Sequence, residues 1–385
     1  MNAHPVLFNW QASNAFGWGV IGLAMIQHWP GDVLSGQELG PMHVTDPALQ
    51  KRVDECMARS RDLWKQWEKG GDVRVPVPVI HAVDNKFQKT PAVHKAVLTG
   101  RPDVGWAVFE DSSIPAEAAA NLKRFDRVIV SSEWCRERLA AVGVEARHVR
   151  QGVDTGLFSV QRRGHKGFVV FSGGKLEYRK GQDIVLRAFK TFAMRHPDAH
   201  LLTAWQSPWP FLAQGMKETA CGVPPQLANG DIDVKGWARQ NGLDPARITD
   251  IGFVPQVEMP ARLAFADCAV FPCRCEGATN LVAMECLAMG IPTAVSEGTG
   301  HLDFAPLGLG LTTVKGGKVG RAPGFRMTDG WVEVAPETLL DYLERQYALG
   351  PGRRDIAQAA AMEREYAWRR CIGDLFERVR EAGAT

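Results

Sequence analysis

The sequence has no long hydrophobic run. No window of its 385 residues approaches the roughly 18 consecutive apolar residues typical of a membrane-spanning helix. Residues 1–11 also lack the charged start and the apolar stretch of a secretory signal peptide. These absences predict a cytoplasmic protein. Peripheral contact with the inner membrane stays open, although no amphipathic anchor stands out.

The sequence also has little excess charge of either sign. Lys and Arg number 45 against 43 Asp and Glu, which leaves a formal net charge of +2. That excess is too small to indicate nucleic acid as the main partner. The hydrophobic fraction of 45% and the charged fraction of 23% are ordinary for a globular protein. The length is that of about two or three domains.

Cysteine is too sparse for a disulfide framework, with 8 residues in the whole chain. Cys273 and Cys275 form a C-x-C pair, but no second pair of Cys or His follows at the spacing of metal ligands. We therefore interpret both as small buried residues beside the end of a strand. The sequence predicts no metal site.

Short apolar segments alternate with helical segments along the chain, and the pattern restarts after a polar, basic stretch at residues 161–166. Such alternation predicts parallel sheets covered by helices on both faces. The predicted fold is α/β, with two Rossmann-like, doubly wound domains at about residues 1–160 and 161–365. Ligands of such sheets bind at the carboxyl ends of the strands, so we expect a site in a cleft between the two domains. The predicted strands cover residues 6–10, 76–83, 105–109, 125–130, 168–172, 199–204, 248–253, 268–271 and 291–295.

A glycine-rich turn at residues 173–181 follows an apolar strand and precedes a helix. Glycines such as Gly174 let the backbone approach a ligand closely, and the start of a helix offers unpaired N–H groups to an anion. Lys175 and Lys180 add two positive charges at the same place. This pattern predicts a phosphate site, and the alternative is a capping pair of glycines beside two solvated lysines.

A second motif at residues 276–285 also follows a strand and runs into a helix. A carboxylate accepts two hydrogen bonds from neighbouring hydroxyls, which is how ribose and hexoses are recognised. Glu285 alone would suit a solvated helix face, but apolar residues surround it on both sides. A lone carboxylate among apolar residues is costly unless it has a partner. Glu276 and Glu285 are therefore candidate ligand-binding residues.

From about residue 126 to residue 303, the chain resembles the retaining GT-B glycosyltransferases of family 4. Residues 128–133 and 151–158 are similar to the end of that family's first domain and to its N-G-V-D-x-x-x-F hinge. Residues 174–181 resemble its G-R-L-x-x-x-K-G motif, with Lys175 at the arginine position. Residues 252–255 and 266–267 match the segment before its paired-glutamate motif. That motif usually has seven residues between the glutamates, whereas this chain has eight (residues 277–284).

The resemblance implies a role for each matching residue. Lys175 and Lys180 would hold the diphosphate of a nucleotide-sugar donor. Glu285 would bind the ribose hydroxyls, and Glu276 would face the transferred sugar. Backbone near Val254 would meet the base.

Further residues of the same motifs are implied as donor contacts. His301 follows a G-x-G turn as in one subgroup of the family, where it would line the donor site or merely cap a loop. The remaining donor-binding residues implied by the resemblance are Gly174, Gly277, Thr279, Asn280 and Leu281.

The first half of the chain supplies further candidates. Gly17 and Gly19 belong to a G-x-G-x-x-G run at a helix start. A dinucleotide-binding fingerprint would follow its strand directly, but residues 11–16 separate this run from the strand. The run therefore suits a flexible loop that reaches across the cleft better than a dinucleotide fingerprint. His81 ends a predicted strand, where family 4 enzymes place a histidine beside the transferred sugar, and a structural histidine is the alternative. Glu110 also ends a strand and would orient the acceptor hydroxyl or act as a base, the alternative being a helix cap.

These features predict a glycosyltransferase that moves a sugar from a nucleotide-diphosphate sugar to an acceptor hydroxyl with retention and without a metal or another cofactor. The acceptor is a saccharide, a lipid-linked molecule or a protein. The alternatives are a nucleotide-sugar epimerase or hydrolase on the same fold, or a non-catalytic partner subunit. Residues 357–381 form a long charged helical stretch in which a break is expected. The resemblance also implies that the final helix, at about residues 366–385, crosses back onto the first domain.

Overall fold

The computed structural model describes residues 4–304, 312–314 and 316–383. Within them, two six-stranded sheets form two units of similar design, each with helices on both faces. This α/β architecture is the one that the alternation of apolar and helical segments predicts. Among the described residues, no helix combines the length and the hydropathy needed to cross a bilayer.

The sheet of the first unit has the order β2-β1-β4-β6-β7-β8, and all its neighbouring strands are parallel. Its central strands are almost continuously apolar because helices cover both faces. The elements are β1 Val6–Asn9, α1 Gly17–His28, β2 Val33–Ser35, α2 Pro47–Trp64, β3 Gly71–Arg74, β4 Val79–Val83, β5 Ala96–Thr99, β6 Asp103–Ala107, α3 Ala116–Leu122, β7 Arg127–Val130, α4 Glu133–Ala141 and β8 Arg147–His148.

The sheet of the second unit has the order β13-β10-β9-β14-β15-β16 and is also parallel throughout. Its elements are β9 Phe168–Gly173, α5 Gln182–Arg195, β10 Ala199–Ala204, β11 Leu227–Ala228, β12 Asp231–Ile232, α6 Val234–Gln240, β13 Ile248–Asp250, α7 Met259–Leu263, β14 Cys268–Phe271, α8 Leu281–Ala288, β15 Thr293–Ser296, β16 Thr312–Val314, β17 Gly316–Lys318, β18 Val332–Val334 and α9 Pro336–Leu349.

The last two helices, α10 (Ile356–Tyr366) and α11 (Trp368–Gly383), are separated by a break at Ala367. At this break the backbone of Val153 donates to Tyr366 and accepts from Trp368, at 2.8 and 3.2 Å. The apolar residues of α11 recur every three or four positions, which places them on one face. That face joins the apolar core around α1 and β1 in the first unit.

Several predicted strand ends differ from the structure by one to three residues. His81 lies in the middle of β4 rather than at its end, because the strand continues through Ala82 and Val83 beside β6. The strand predicted at residues 248–253 ends at Asp250, and Gly252 with a φ of 73° belongs to the following loop. An apolar run in the sequence does not reveal where pairing with a neighbouring strand stops.

Candidate active site

A cavity of about 420 Å³ lies where the carboxyl ends of the two sheets face each other. Both units line it, with the start of α1 on one side and the loops after β9 and β14 on the other. Ligands of parallel sheets bind at this edge. Of the residues predicted from the sequence, the cavity brings together Gly17, Glu110, Gly174, Lys175, Lys180, Val254, Glu276, Thr279, Asn280, Leu281 and Glu285.

The loop after β9 has the conformation that its glycines permit. Gly174 has a φ of 107° and Gly181 a φ of 71°, a region that other residues rarely adopt. A Cβ on Gly181 would also lie 2.2 Å from the carbonyl oxygen of Pro272. The side chain of Gln182 donates to the carbonyls of Gly174 and Lys175, at 3.2 and 2.7 Å. The loop is therefore held beside the start of α5.

Glu276 is a buried carboxylate surrounded by donors. Its Oε1 lies 2.6 Å from Nζ of Lys180 and accepts from Nδ2 of Asn280 at 3.0 Å, while its Oε2 accepts from Arg179 at 2.8 Å. Burial alone would raise the pKa of Glu276, but the charges of Lys180 and Arg179 outweigh it and lower the pKa to about 2. Glu276 therefore remains ionised at neutral pH.

Arg179 is a site residue that the sequence analysis missed. Its guanidinium is buried and lies 2.8 Å from Glu276, 2.8 Å from Glu177 and 3.6 Å from Glu110. Glu110 belongs to the first unit, so this arginine joins the two units inside the cavity. In the sequence, Arg179 looks like one more solvated cation beside Lys180, because nothing local announces its carboxylate partners.

Glu285 has a different environment, within α8. It is 6% exposed, and its Oε1 accepts from Nε2 of Gln256 at 2.9 Å. Burial raises the pKa of Glu285 to about 7, and the hydrogen bond from Gln256 opposes that rise only in part. Gln256 also lines the cavity, and its place in the loop before α7 gives no signal in the sequence.

Lys175 lies under an aromatic side chain at the cavity edge. Its Nζ is 5.1 Å from the ring centroid of Trp209, within the range of a cation–π contact. The same indole is 6.4 Å from the ring of Phe16, which belongs to the first unit. Burial lowers the pKa of Lys175, although nearby Glu177 opposes this. Trp209 thus covers a cation and contacts the opposite wall.

Glu110 projects into the cavity from the first unit and is held by Asn85. The amide of Asn85 donates to Oε2 of Glu110 at 3.2 Å, and its carbonyl accepts from the backbone N–H of Glu110 at 2.9 Å. Asn85 itself lines the cavity. The carboxylate therefore has a defined position between Asn85 and Arg179.

His81 does not line the cavity. Its ring is fully buried, with Nε2 at 3.0 Å from Asp103, and Lys89 is paired with the same carboxylate at 2.6 Å. Burial lowers the pKa of His81 despite the contact with Asp103. This environment matches the structural alternative for the histidine, and a role beside the transferred sugar stays a prediction.

Three other predicted residues lie next to the cavity rather than on its wall. A Cβ on Gly19 would lie 2.6 Å from the carbonyl oxygen of Ser13, so this glycine allows close packing of α1 against the preceding loop. The carbonyl of Gly277 accepts from the hydroxyl of Ser132 at 2.8 Å and lies between the units. His301 is buried, with Nδ1 at 3.1 Å from the Ser296 hydroxyl.

Among the residues that the structure describes, one group of side chains has the spacing of a metal site. Ligand atoms of Cys273, Glu276 and His301 lie within 4.8 Å of one another. Glu276 is already paired with Lys180 and Arg179, whose charges oppose the binding of a further cation. The absence of a metal from the reaction stays a prediction.

Known proteins resemble this chain in part of its sequence and in its fold. No protein-family model matches the chain. The GDP-mannose-dependent alpha-(1-6)-phosphatidylinositol monomannoside mannosyltransferase of Mycolicibacterium smegmatis is 29% identical over 221 residues, which are 51% of this chain and 50% of that protein. The match therefore spans about half the length of this relative.

The structural likeness extends over nearly the whole chain. Sucrose-phosphate synthase from Thermosynechococcus elongatus superimposes with a TM-score of 0.62 at 14% identity and covers 99% of both chains. The Anabaena protein HepE, in complex with UDP, superimposes with a TM-score of 0.59 at 12% identity. The match covers 98% of this chain and 100% of that protein's chain. The chain has the GT-B fold that these proteins share.

Proposed function

We propose that the chain is a glycosyltransferase that moves a sugar from a nucleotide-diphosphate sugar to an acceptor hydroxyl, with retention and without a metal ion. One observation carries this proposal: three cationic side chains and two buried glutamates of the second unit line one cavity that the first unit closes. The likeness to a GDP-mannose-dependent enzyme and to a protein in complex with UDP supports the choice of donor class.

The cations suit the diphosphate of such a donor. Breaking the bond between the sugar and the diphosphate develops negative charge on the leaving phosphate. Lys175 and Lys180 lie beside the start of α5, where Gly181 provides no side-chain cap and the helix N-terminus favours an anion. Charges placed in advance stabilise the transition state more than the ground state, so these side chains would take the part that a metal ion has in other transferases.

The glutamates suit hydroxyl groups. Glu285 has a single hydrogen bond from Gln256 and faces the cavity, so its carboxylate would accept from the ribose hydroxyls. Glu276 would accept from the transferred sugar in addition to its present donors, because each carboxylate oxygen has two lone pairs. Val254 would meet the base through its backbone, and Gly17 and Gly174 would approach the phosphates.

Glu110 is the candidate for orienting the acceptor. It is on the wall opposite the cations and is fixed by Asn85, which suits a carboxylate that accepts a hydrogen bond from the attacking hydroxyl. Arg179, at 3.6 Å, is the positive charge of the second unit that faces this carboxylate.

Calorimetry with GDP, UDP and ADP tests donor binding, and Lys180→Ala is the informative variant. We expect one nucleotide to bind and the variant to bind it about tenfold more weakly, the scale of one lost charged contact. Lys166→Ala is the matched control, because Lys166 lies outside the cavity. Equal binding by both variants, or no binding of any nucleotide, would contradict the proposal.

Turnover of the matching nucleotide sugar then tests the reaction itself. Proton NMR of the product gives the anomeric configuration, and we expect that of the donor. Addition of EDTA should leave the rate unchanged. Release of free sugar at the same rate with and without an acceptor would instead indicate a hydrolase.

A further inference from the structure

The wall of the cavity formed by the first unit differs in charge from the wall formed by the second. Its side chains include the apolar Phe16, Trp18, Ile21 and Val108 and the acidic Asp84 and Glu110. Among the described residues that line the cavity from the first unit, none is Lys, Arg or His.

The two carboxylates of this wall are not equivalent. Glu110 is 3.6 Å from Arg179, so its charge is partly compensated. Asp84 is exposed, and within the described part of the chain it forms no ion pair; its Oδ1 accepts only from the backbone N–H of Lys86. The side chain of Lys86 does not line the cavity. Asp84 therefore leaves a negative charge where an acceptor would enter.

The cations of the opposite wall do not neutralise the negative charge of the wall formed by the first unit. Lys180 and Arg179 are paired with Glu276, and Lys175 is close to Glu177. A donor diphosphate would occupy these cations further. An acceptor phosphate would then meet the carboxylates of the first unit without a compensating cation, and like charges brought together oppose binding.

We propose that the acceptor is a saccharide without negative charge, and that an ammonium group on it would contact Asp84. The proposal rests on the proposed function, since it concerns the acceptor half of the same cavity. The apolar face of a sugar ring would pack against Trp18, whose partly buried indole lines this wall. Phosphorylated sugars are excluded by the same arrangement.

Three matched acceptors test this: methyl glucoside, its 2-amino-2-deoxy analogue and its 6-phosphate, together with the corresponding mannosides. With the nucleotide sugar found by calorimetry, we expect kcat/KM to be highest for the amine and at least about tenfold lower for the phosphate than for the neutral sugar. Asp84→Asn should remove the preference for the amine. Asp84→Lys should raise kcat/KM for the 6-phosphate.

Asp72→Asn is the control, because Asp72 is an exposed carboxylate on β3 of the same unit. Donor binding separates the two possible failures. If a nucleotide binds but the phosphate is the best acceptor, or none of the sugars is used, the acceptor proposal is wrong and the donor site stands. If no nucleotide binds, the proposed function fails and the acceptor proposal fails with it.

Discussion

Glu276 and Glu285 lie on one cavity wall in opposite electrostatic environments. Two cations hold the pKa of Glu276 at about 2, whereas burial raises the pKa of Glu285 to about 7. A carboxyl with a raised pKa in the folded state stabilises the fold below its unfolded pKa and loses this contribution as the pH rises through the folded value. The two residues therefore contribute to stability with opposite dependence on pH.

The substitution Glu285→Gln tests the predicted direction of the pH dependence for Glu285. The wild-type protein must bury a charge as the pH rises through about 7, and the variant need not. Between pH 5 and pH 8, we expect the free energy of unfolding of the variant to rise by roughly 2 kcal/mol relative to that of the wild type. Urea unfolding at several pH values measures this difference.

Glu276→Gln is the matched comparison. The wild-type carboxylate stabilises the fold above its unfolded pKa, and this contribution is lost progressively as the pH falls from there to about 2. This variant leaves Arg179 and Lys180 without their shared partner, so it should be less stable than the wild type at pH 7. The same pH dependence in both variants would contradict the two assignments.

Residues within a local motif could be predicted, and residues that act over long range could not. Lys175, Lys180 and Glu276 follow strands and precede helices, a context visible in the sequence. Arg179 and Asn85 act through partners far away in the chain, at 97 and 25 positions. Such partners become visible only when the chain is folded.

At the scale of elements, the connection between β10 and β11 carries a contact across the cleft. Trp209 lies in it and contacts Lys175 of its own unit and Phe16 of the other. Aromatic core filling is the default interpretation of a tryptophan in a sequence, but this one is 42% exposed at the cavity. Trp209 lies at the cavity because the loop that carries it lines the cleft.

The substitution Trp209→Ala would remove this cover. Lys175 would lose a cation–π contact worth about 0.5–1 kcal/mol, so we expect nucleotide diphosphate to bind about two- to fivefold more weakly. Phe211→Ala is the control, because Phe211 is 62% exposed and does not line the cavity. Equal effects of the two substitutions in calorimetry would contradict a role for Trp209.

The type and order of the main elements can be predicted because buried parallel strands are short apolar runs between amphipathic helices. The sequence does not reveal β2, since its three residues are too few to give a pattern. The break expected in the final helical stretch occurs at Ala367. Strand ends depend on pairing with neighbours, so they are the least accurate part of the prediction.

At the scale of the whole molecule, the two units are joined by polar contacts as well as by the chain. The hydroxyl of Ser132 donates to the carbonyl of Gly277, and the backbone of Glu133 donates to Asp303. The indole of Trp331 donates to the carbonyl of Glu110. The orientation of the two cavity walls therefore depends on the packing of both units.

The helix α11 is part of that packing, and it follows the second unit in sequence while its apolar face joins the core of the first. Leu375 is fully buried there, so Leu375→Ala should destabilise the protein by about 2–5 kcal/mol. Hydrogen exchange should become faster in α1 and β1 and stay unchanged in β9 and β10, because the lost contacts belong to the first core. Glu377→Ala, on the exposed face of the same helix, should cost less than about 1 kcal/mol. Faster exchange in β9 and β10 alone would mean that α11 stabilises the second unit instead.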